Sequence, residues 1–208
     1  MRVHCWLAGA LVCASALLPK VCHAQSLPHR HDGFYLQMTV GAGYLSSSAD
    51  FGAIHSRIYG GALAGSLWMG GSVMPGFALG GGLIGDIAFA PSQKLSGGGM
   101  SSTTRAGTDQ ALQLQMIGLV TDIYPNPKQG LHFQAMLGYA VLSVSNNGDT
   151  GDVSPSGIGV LGGVGYDFWI SEEWSMGVLG RVAYAAAKLN DQANPTIAPA
   201  LLASFTYN

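Results

Sequence analysis

Three charged residues stand in stretches that otherwise carry almost no charge: Asp86, Asp167 and Arg181. Each falls on the small or polar side of an alternating apolar pattern, the side that lines an interior. A carboxylate and a guanidinium enclosed together neutralise one another, whereas either alone in so confined a space is costly. In a ring of eight such segments the third and the seventh lie opposite, and Asp86 and Arg181 fall at comparable heights on them. The expectation is an ion pair across the interior, with Gln113, Gln115, Gln134 and His132 nearby. It acts as a structural plug, and the alternative is a gated or ion-conducting lumen.

The other groupings carry less chemistry. His55 and Ser56 with Asp50 form the Ser/His/Asp set worth testing against a lipid hydrolase, although such a triad is defined by geometry rather than sequence proximity. His29, His31 and Asp32 are possible metal ligands, and Asp149 and Asp152 in NNGDTGD are possible Ca²⁺ ligands without EF-hand spacing. Two G-x-G-x-x-G matches begin at Gly80 and Gly157. A dinucleotide fingerprint needs a strand before it and a helix after it. Here one match sits within a strand and the other runs into one. Inward glycines (Gly80, Gly82, Gly159, Gly163, Gly165) instead give packing room in a narrow barrel. No catalytic residue, metal or cofactor is assigned, and the expectation is a protein that is not an enzyme.

These residues are positioned by strands. The clearest are the two arms of a hairpin over 110–145, joined at 125–130. In the second arm Leu131, Phe133, Ala135, Leu137, Tyr139 and Val141 fall on one face, against His132, Gln134, Met136, Gly138 and Ala140. In the first, Leu112, Leu114, Met116 and Val120 stand against Gln113 and Gln115, which predicts the leucine row outward. Period-two alternation over more than about ten residues is long for a soluble sheet and suits a strand crossing a bilayer. Similar patterns occupy 33–45, 58–69, 77–89, 157–170, 174–188 and 195–207. The predicted fold is all-β, an eight-stranded antiparallel up-and-down transmembrane β-barrel.

Residues 1–24 read as a cleaved secretory signal peptide: Arg2, an apolar stretch over 5–18, then small residues before Gln25. Residues 25–32 form a polar periplasmic leader, and 33–208 the barrel. All three cysteines, Cys5, Cys13 and Cys22, lie in the signal, so the remainder has neither disulfides nor thiolate ligands. Without Arg2 and Lys20, seven basic residues face eleven acidic ones, a balance of −4 with no basic stripe for nucleic acid. Charged residues make up 10% of the chain, against ~25% in ordinary soluble domains, yet no later apolar run is long enough for a transmembrane helix.

Connections after the second, fourth and sixth predicted strands are short. Those after the first, third and fifth (46–57, 90–109, 146–156) are long, and 189–194 is intermediate. Short periplasmic turns alternating with long extracellular loops, over an even strand count, are what an outer-membrane barrel requires. Aromatic residues crowd the strand ends, with Tyr124, Phe168, Trp169, Trp174, Phe205 and Tyr207 expected in the girdle on the short-turn side.

Openings such as Asp32-Gly33-Phe34-Tyr35-Leu36 and the glycine-rich strand repeats give residues 33–208 a resemblance to the small eight-stranded outer-membrane β-barrel proteins of Gram-negative bacteria. That class includes the membrane domain of OmpA and the OmpX- and OmpW-like proteins. The resemblance implies residence in the outer membrane, lipid and lipopolysaccharide around the wall, and the barrel-assembly machinery as a partner. The expected function is a structural or surface-interaction role carried by the extracellular loops, for a ligand left open. A narrow pore or hydrophobic-solute conduit is the alternative, followed by a lipid-modifying barrel enzyme and a soluble ligand-binding barrel.

Overall fold

A computed structural model describes residues 33–146, 149–150, 154–189 and 192–207. The predicted signal peptide and leader, with His29, His31 and Asp32, lie outside the described residues, as does Asp152. The strands are β1 (Phe34–Phe51), β2 (Ile54–Met74), β3 (Phe77–Phe89), β4 (Ser92–Gly97), β5 (Met100–Arg105), β6 (Gln110–Ile123), β7 (Leu131–Asn146), β8 (Asp149–Thr150), β9 (Ser156–Trp169), β10 (Trp174–Leu189) and β11 (Gln192–Tyr207). Eight of them close into a ring in the order β1-β11-β10-β9-β7-β6-β3-β2, with β2 pairing back onto β1. Every pairing is antiparallel. Closure leaves the ring without an edge strand, which removes the unpaired backbone groups a bilayer would not tolerate.

The side-chain alternation sorts into an outer and an inner wall. Leu63, Leu67 and Met69 on β2, Leu79 and Leu83 on β3, Leu137 and Tyr139 on β7, and Val178 and Val182 on β10 are exposed outward. Along β2 the outward row runs from Tyr59 to Met69, ten residue steps. At ~3.3 Å per residue and a tilt of roughly 40° this rises about 25 Å, the height of the apolar band on outer-membrane barrels. Soluble monomers rarely expose contiguous apolar patches beyond roughly a few hundred Å². A closed barrel wearing such a belt has its stable environment in a bilayer.

One predicted face is inverted. On β6, Leu112, Leu114, Met116 and Val120 are buried in the lumen, while Gln113 and Gln115 point outward. The leucine row shares its parity with Asp122, which is also buried. Turning Asp122 inward outweighs leaving two uncharged glutamines on the outer wall, where charge is the costly cargo.

The predicted long loops are partly strand. β1 and β2 continue in register to Phe51 and Ile54, and only Gly52 and Ala53 turn the chain, with Gly52 at φ 62°. The segment 90–109 folds as the hairpin β4–β5, with β4 paired to the outer end of β2. β10 and β11 run to Leu189 and from Gln192, so 189–194 is also mostly strand. Phe51, Ile54, Leu95 and Met100 are scattered among Ser, Thr, Gly and charged residues on these extensions, so no sustained alternation of the kind that betrays a membrane strand runs through them. The β1–β11 ladder lapses at Tyr44 and Leu45, across from Pro199 and Ala198. Proline supplies no N–H to a ladder, and the wall is thinnest in hydrogen bonds there.

Candidate functional site: the closed lumen

The interior is filled in storeys. Nearest the short turns lies a polar network. Tyr35 on β1 donates its hydroxyl to Asp122 Oδ2 at 2.5 Å, and Gln134 Nε2 reaches the same oxygen at 3.0 Å. Gln134 Nε2 also donates to Gln37 Oε1 at 2.5 Å, and Gln37 Nε2 donates to Thr206 Oγ1 at 3.1 Å. Thr206 Oγ1 then donates to Asp167 Oδ2 at 3.2 Å, Ser204 Oγ to Asp167 Oδ1 at 2.9 Å, and Tyr124 Oη to Asp167 Oδ2 at 3.1 Å. His132 Nδ1 stands 3.4 Å from Asp167 Oδ2. Residues from β1, β6, β7, β9 and β11 are thereby tied in one circuit from Asp122 to Asp167. Burial, reinforced by Tyr35, Asp122 and Asp167, pushes the Tyr124 phenol well above its ordinary value, so its hydroxyl remains a donor.

Above this network Arg181 Nη2 donates to Asp86 Oδ1 at 2.6 Å, across the ring from β10 to β3. Nη2 also lies 3.4 Å from the Gly65 carbonyl oxygen. Both side chains are shut away from solvent, at 0% and 2% exposure. Charge-assisted bonds of this kind are roughly twice as strong as neutral ones, and in so enclosed a place each charge depends on the other. Beyond the pair the lumen turns apolar, with Leu45, Leu112, Leu114 and Leu142 packed against Ala62, Ala88, Ala183, Ala185 and Ala198.

Two inward glycines make room for large rings. A Cβ on Gly165 would lie 2.2 Å from His132 Nε2, and one on Gly82 would meet Trp68 Cδ1 at 3.0 Å and Val120 Cγ2 at 2.8 Å. Two small gaps lie between these side chains. One gap of about 10 Å³ touches Tyr35, Trp68 and Asp122. Another of about 100 Å³ opens at the far mouth among Ser47, Ser56, Leu112 and Leu142.

The predicted site residues are therefore divided. Asp86 and Arg181 are together, but Asp167 belongs to the lower network, because it lies four strand residues from the Arg181 level along β9 and β10. Gln113 and Gln115 face away from the lumen. In the predicted girdle, Phe168 is 62% exposed, Trp174 and Phe205 also face outward, and Tyr207 packs between Phe34 and Trp174 while donating to Glu173 at 2.6 Å. Tyr124 is a correction. It is buried and directed inward, since its backbone N–H bonds Gly76 O at 2.7 Å and folds the turn under the barrel. Trp169 shares the inward parity of Asp167 and is half-buried.

The Ser/His/Asp set does not assemble. His55 contacts Asp50 through Nδ1 on the exposed face, whereas Ser56, its chain neighbour, points to the opposite side and is buried. Ser56 Oγ instead accepts from Gln93 Nε2 at 3.3 Å. The two paired-strand neighbours of His55 are Asp50 and Ser96, and among the described residues His55 has no hydrogen bond to a serine. No metal-competent group of three ligands occurs among the described residues.

No family model matches the chain, and no curated protein is similar enough in sequence to count as a relative. Solved structures do share the fold. Neisserial surface protein A aligns over 84% of this chain and 96% of its own, at 17% identity and a TM-score of 0.55. The outer membrane protein OprG from Pseudomonas aeruginosa aligns over 86% of this chain and 98% of its own, at 12% identity and a TM-score of 0.52. The shared fold and the apolar belt agree: this chain is a β-barrel of the Gram-negative outer-membrane type.

Proposed function

We propose that the barrel is a closed scaffold whose role is performed outside the membrane, by the strand extensions that rise beyond the belt. The observation that carries this reading is the filled lumen. A buried ion pair and a polar circuit occupy the space through which a solute would have to travel. Beyond the belt, β1 and β2 project to Gly52, and the β4–β5 hairpin adds two further strands to their edge. They form a surface of Ser, Thr and charged side chains, with Ile54, Leu95 and Met100 exposed among them, suited to contact with other molecules at the cell surface.

The conduit reading has one observation in its favour. The ladder lapse opposite Pro199 lies beside a recess of about 670 Å³ on the outer wall, bordered by Ala42, Gly162, Gly180 and Ala200. Behind that wall, however, Arg181, Leu179 and Leu202 are packed and buried.

The test removes the hairpin and keeps the barrel. Ala106 N donates to Pro91 O at 2.8 Å, so residues 92–105 can be excised with little change to their flanks. Full-length protein is expected to confer surface attachment on cells that display it, and the shortened protein to lose that attachment while keeping the heat-dependent gel mobility of a folded barrel. Attachment that survives excision contradicts the proposal.

A further inference from the structure

We propose that the outward face of β1, β2, β4 and β5, just beyond the belt, binds the phosphate-bearing headgroup of an outer-leaflet lipid, with Arg57, Lys94 and Arg105 as its anion ligands. The inference goes beyond the scaffold reading and needs only the membrane-embedded barrel.

Register places the three cations together. Ser46, Tyr59, Ser92 and Arg105 form one cross-strand row, and Ser48, Arg57, Lys94 and Thr103 form the next row outward. Directly paired residues share a face, so Lys94 stands opposite Arg57 on one side and diagonal to Arg105 on the other. All three are exposed. Like charges directly opposite one another weaken a sheet unless an anion lies between them. Among the described residues no carboxylate pairs with any of the three. Asp50, the carboxylate of the following row, contacts His55 instead.

Arg57 is also held in position. Its Nε donates to Ser46 Oγ at 2.8 Å, and its guanidinium lies 5.6 Å from the centre of the Tyr59 ring. Stacking and the Nε bond fix the plane of the fork, leaving the two Nη groups as a pre-set pair of donors for a tetrahedral oxyanion.

Height identifies the occupant. Along the outward row of β2, Met69, Leu67 and Leu63 give way to Tyr59 and then Arg57. Tyr59 packs on Tyr44 with ring centres 6.2 Å apart, an aromatic pair of the kind that marks the membrane interface. Arg57 follows two residues later, about 7 Å further along the strand. The cations therefore face sideways at headgroup level, towards neighbouring lipids rather than upward into solution.

The experiment uses full-length barrel in phosphatidylcholine nanodiscs doped with diphosphorylated lipid A or its dephosphorylated counterpart, and measures lipid retained per barrel after exchange. Wild type is expected to hold the phosphorylated lipid at least tenfold better than the dephosphorylated one. The combined variant Arg57→Ala, Lys94→Ala, Arg105→Ala is expected to lose that preference, while Lys128→Ala, in the opposite turn, keeps it. Equal retention of the two lipids by wild type overturns the inference, and this arm holds even if the triple variant fails to fold. An unchanged preference in a folded triple variant also overturns it. So does a sulfated oligosaccharide that binds the same three cations from solution while lipid retention stays independent of them. These point substitutions leave the hairpin in place, so their outcome is separate from that of its excision.

Discussion

Arg181 reaches from β10 across the barrel to Asp86 on β3, Nη2 to Oδ1 at 2.6 Å, and the two strands are diametrically opposed in the eight-strand ring. The pair braces the lumen along a diameter. Arg181→Ala leaves a buried carboxylate without its partner and is expected to cost about 3–5 kcal/mol. Arg181→Met combined with Asp86→Leu is expected to recover most of that, because an apolar pair of similar volume needs no desolvation. Denaturant unfolding in detergent micelles measures both. A single variant as stable as wild type would show that the pair braces nothing.

Tyr35 and Tyr124 each donate a hydroxyl to a buried carboxylate, Asp122 and Asp167 respectively. Tyr35→Phe is expected to destabilise the barrel by about 1–3 kcal/mol, the cost of leaving a buried polar group short of a partner. In a double-mutant cycle with Asp122→Asn the two losses are expected to be strongly non-additive. Additive losses would mean that the circuit is a set of independent contacts.

Gly165 lies under the His132 ring, and an added methyl would fall 2.2 Å from Nε2. Gly165→Ala is expected to lower stability by about 1–3 kcal/mol through overpacking. His132→Ala in the same chain should relieve that overlap while introducing its own loss of packing. The readout is the temperature at which the folded, fast-migrating gel band disappears. If Gly165→Ala leaves it unmoved, the ring does not occupy that place.

The orientation of β6 is open to direct chemical test. A cysteine at Gln113 or Gln115 is expected to react with a membrane-soluble maleimide, and one at Leu114 or Met116 to be protected. The label then reports on the introduced cysteine, because residues 33–207 carry no cysteine of their own, and gel mobility checks that each variant is folded. The reverse labelling pattern would turn the strand over.

Much of this architecture was legible in the sequence, and for physical reasons. A barrel wall between lipid and lumen imposes a period of two, and Leu137, Tyr139, Val160, Val164, Val178 and Val182 obey it on strands whose inner face is mostly small or polar, with Met136, Leu142, Leu161 and Leu179 the exceptions. Counting such strands was enough to set β3 against β10. β6 was harder because both of its faces are mixed. Its inner row is leucine and methionine, since the lumen above the ion pair is apolar. The decisive signal was Asp122, a carboxylate on the leucine parity that lipid would not accept. The extensions of β1, β2, β10 and β11 look like loops in the sequence because mostly polar residues on both faces leave no period to detect. Tyr35, Gln37, Ser204 and Thr206 were not legible as a site at all. Each is a single polar residue on its own strand, and only the register of closure brings them to Asp122 and Asp167.

The account rests on a barrel that crosses the outer membrane and is closed inside. Single-protein recordings in a planar lipid bilayer test it most directly. Wild-type protein, inserted and shown to be folded by its gel mobility, is expected to pass no stable current at moderate voltage. Discrete, long-lived conductance steps from the wild-type chain would contradict the filled lumen and restore the pore.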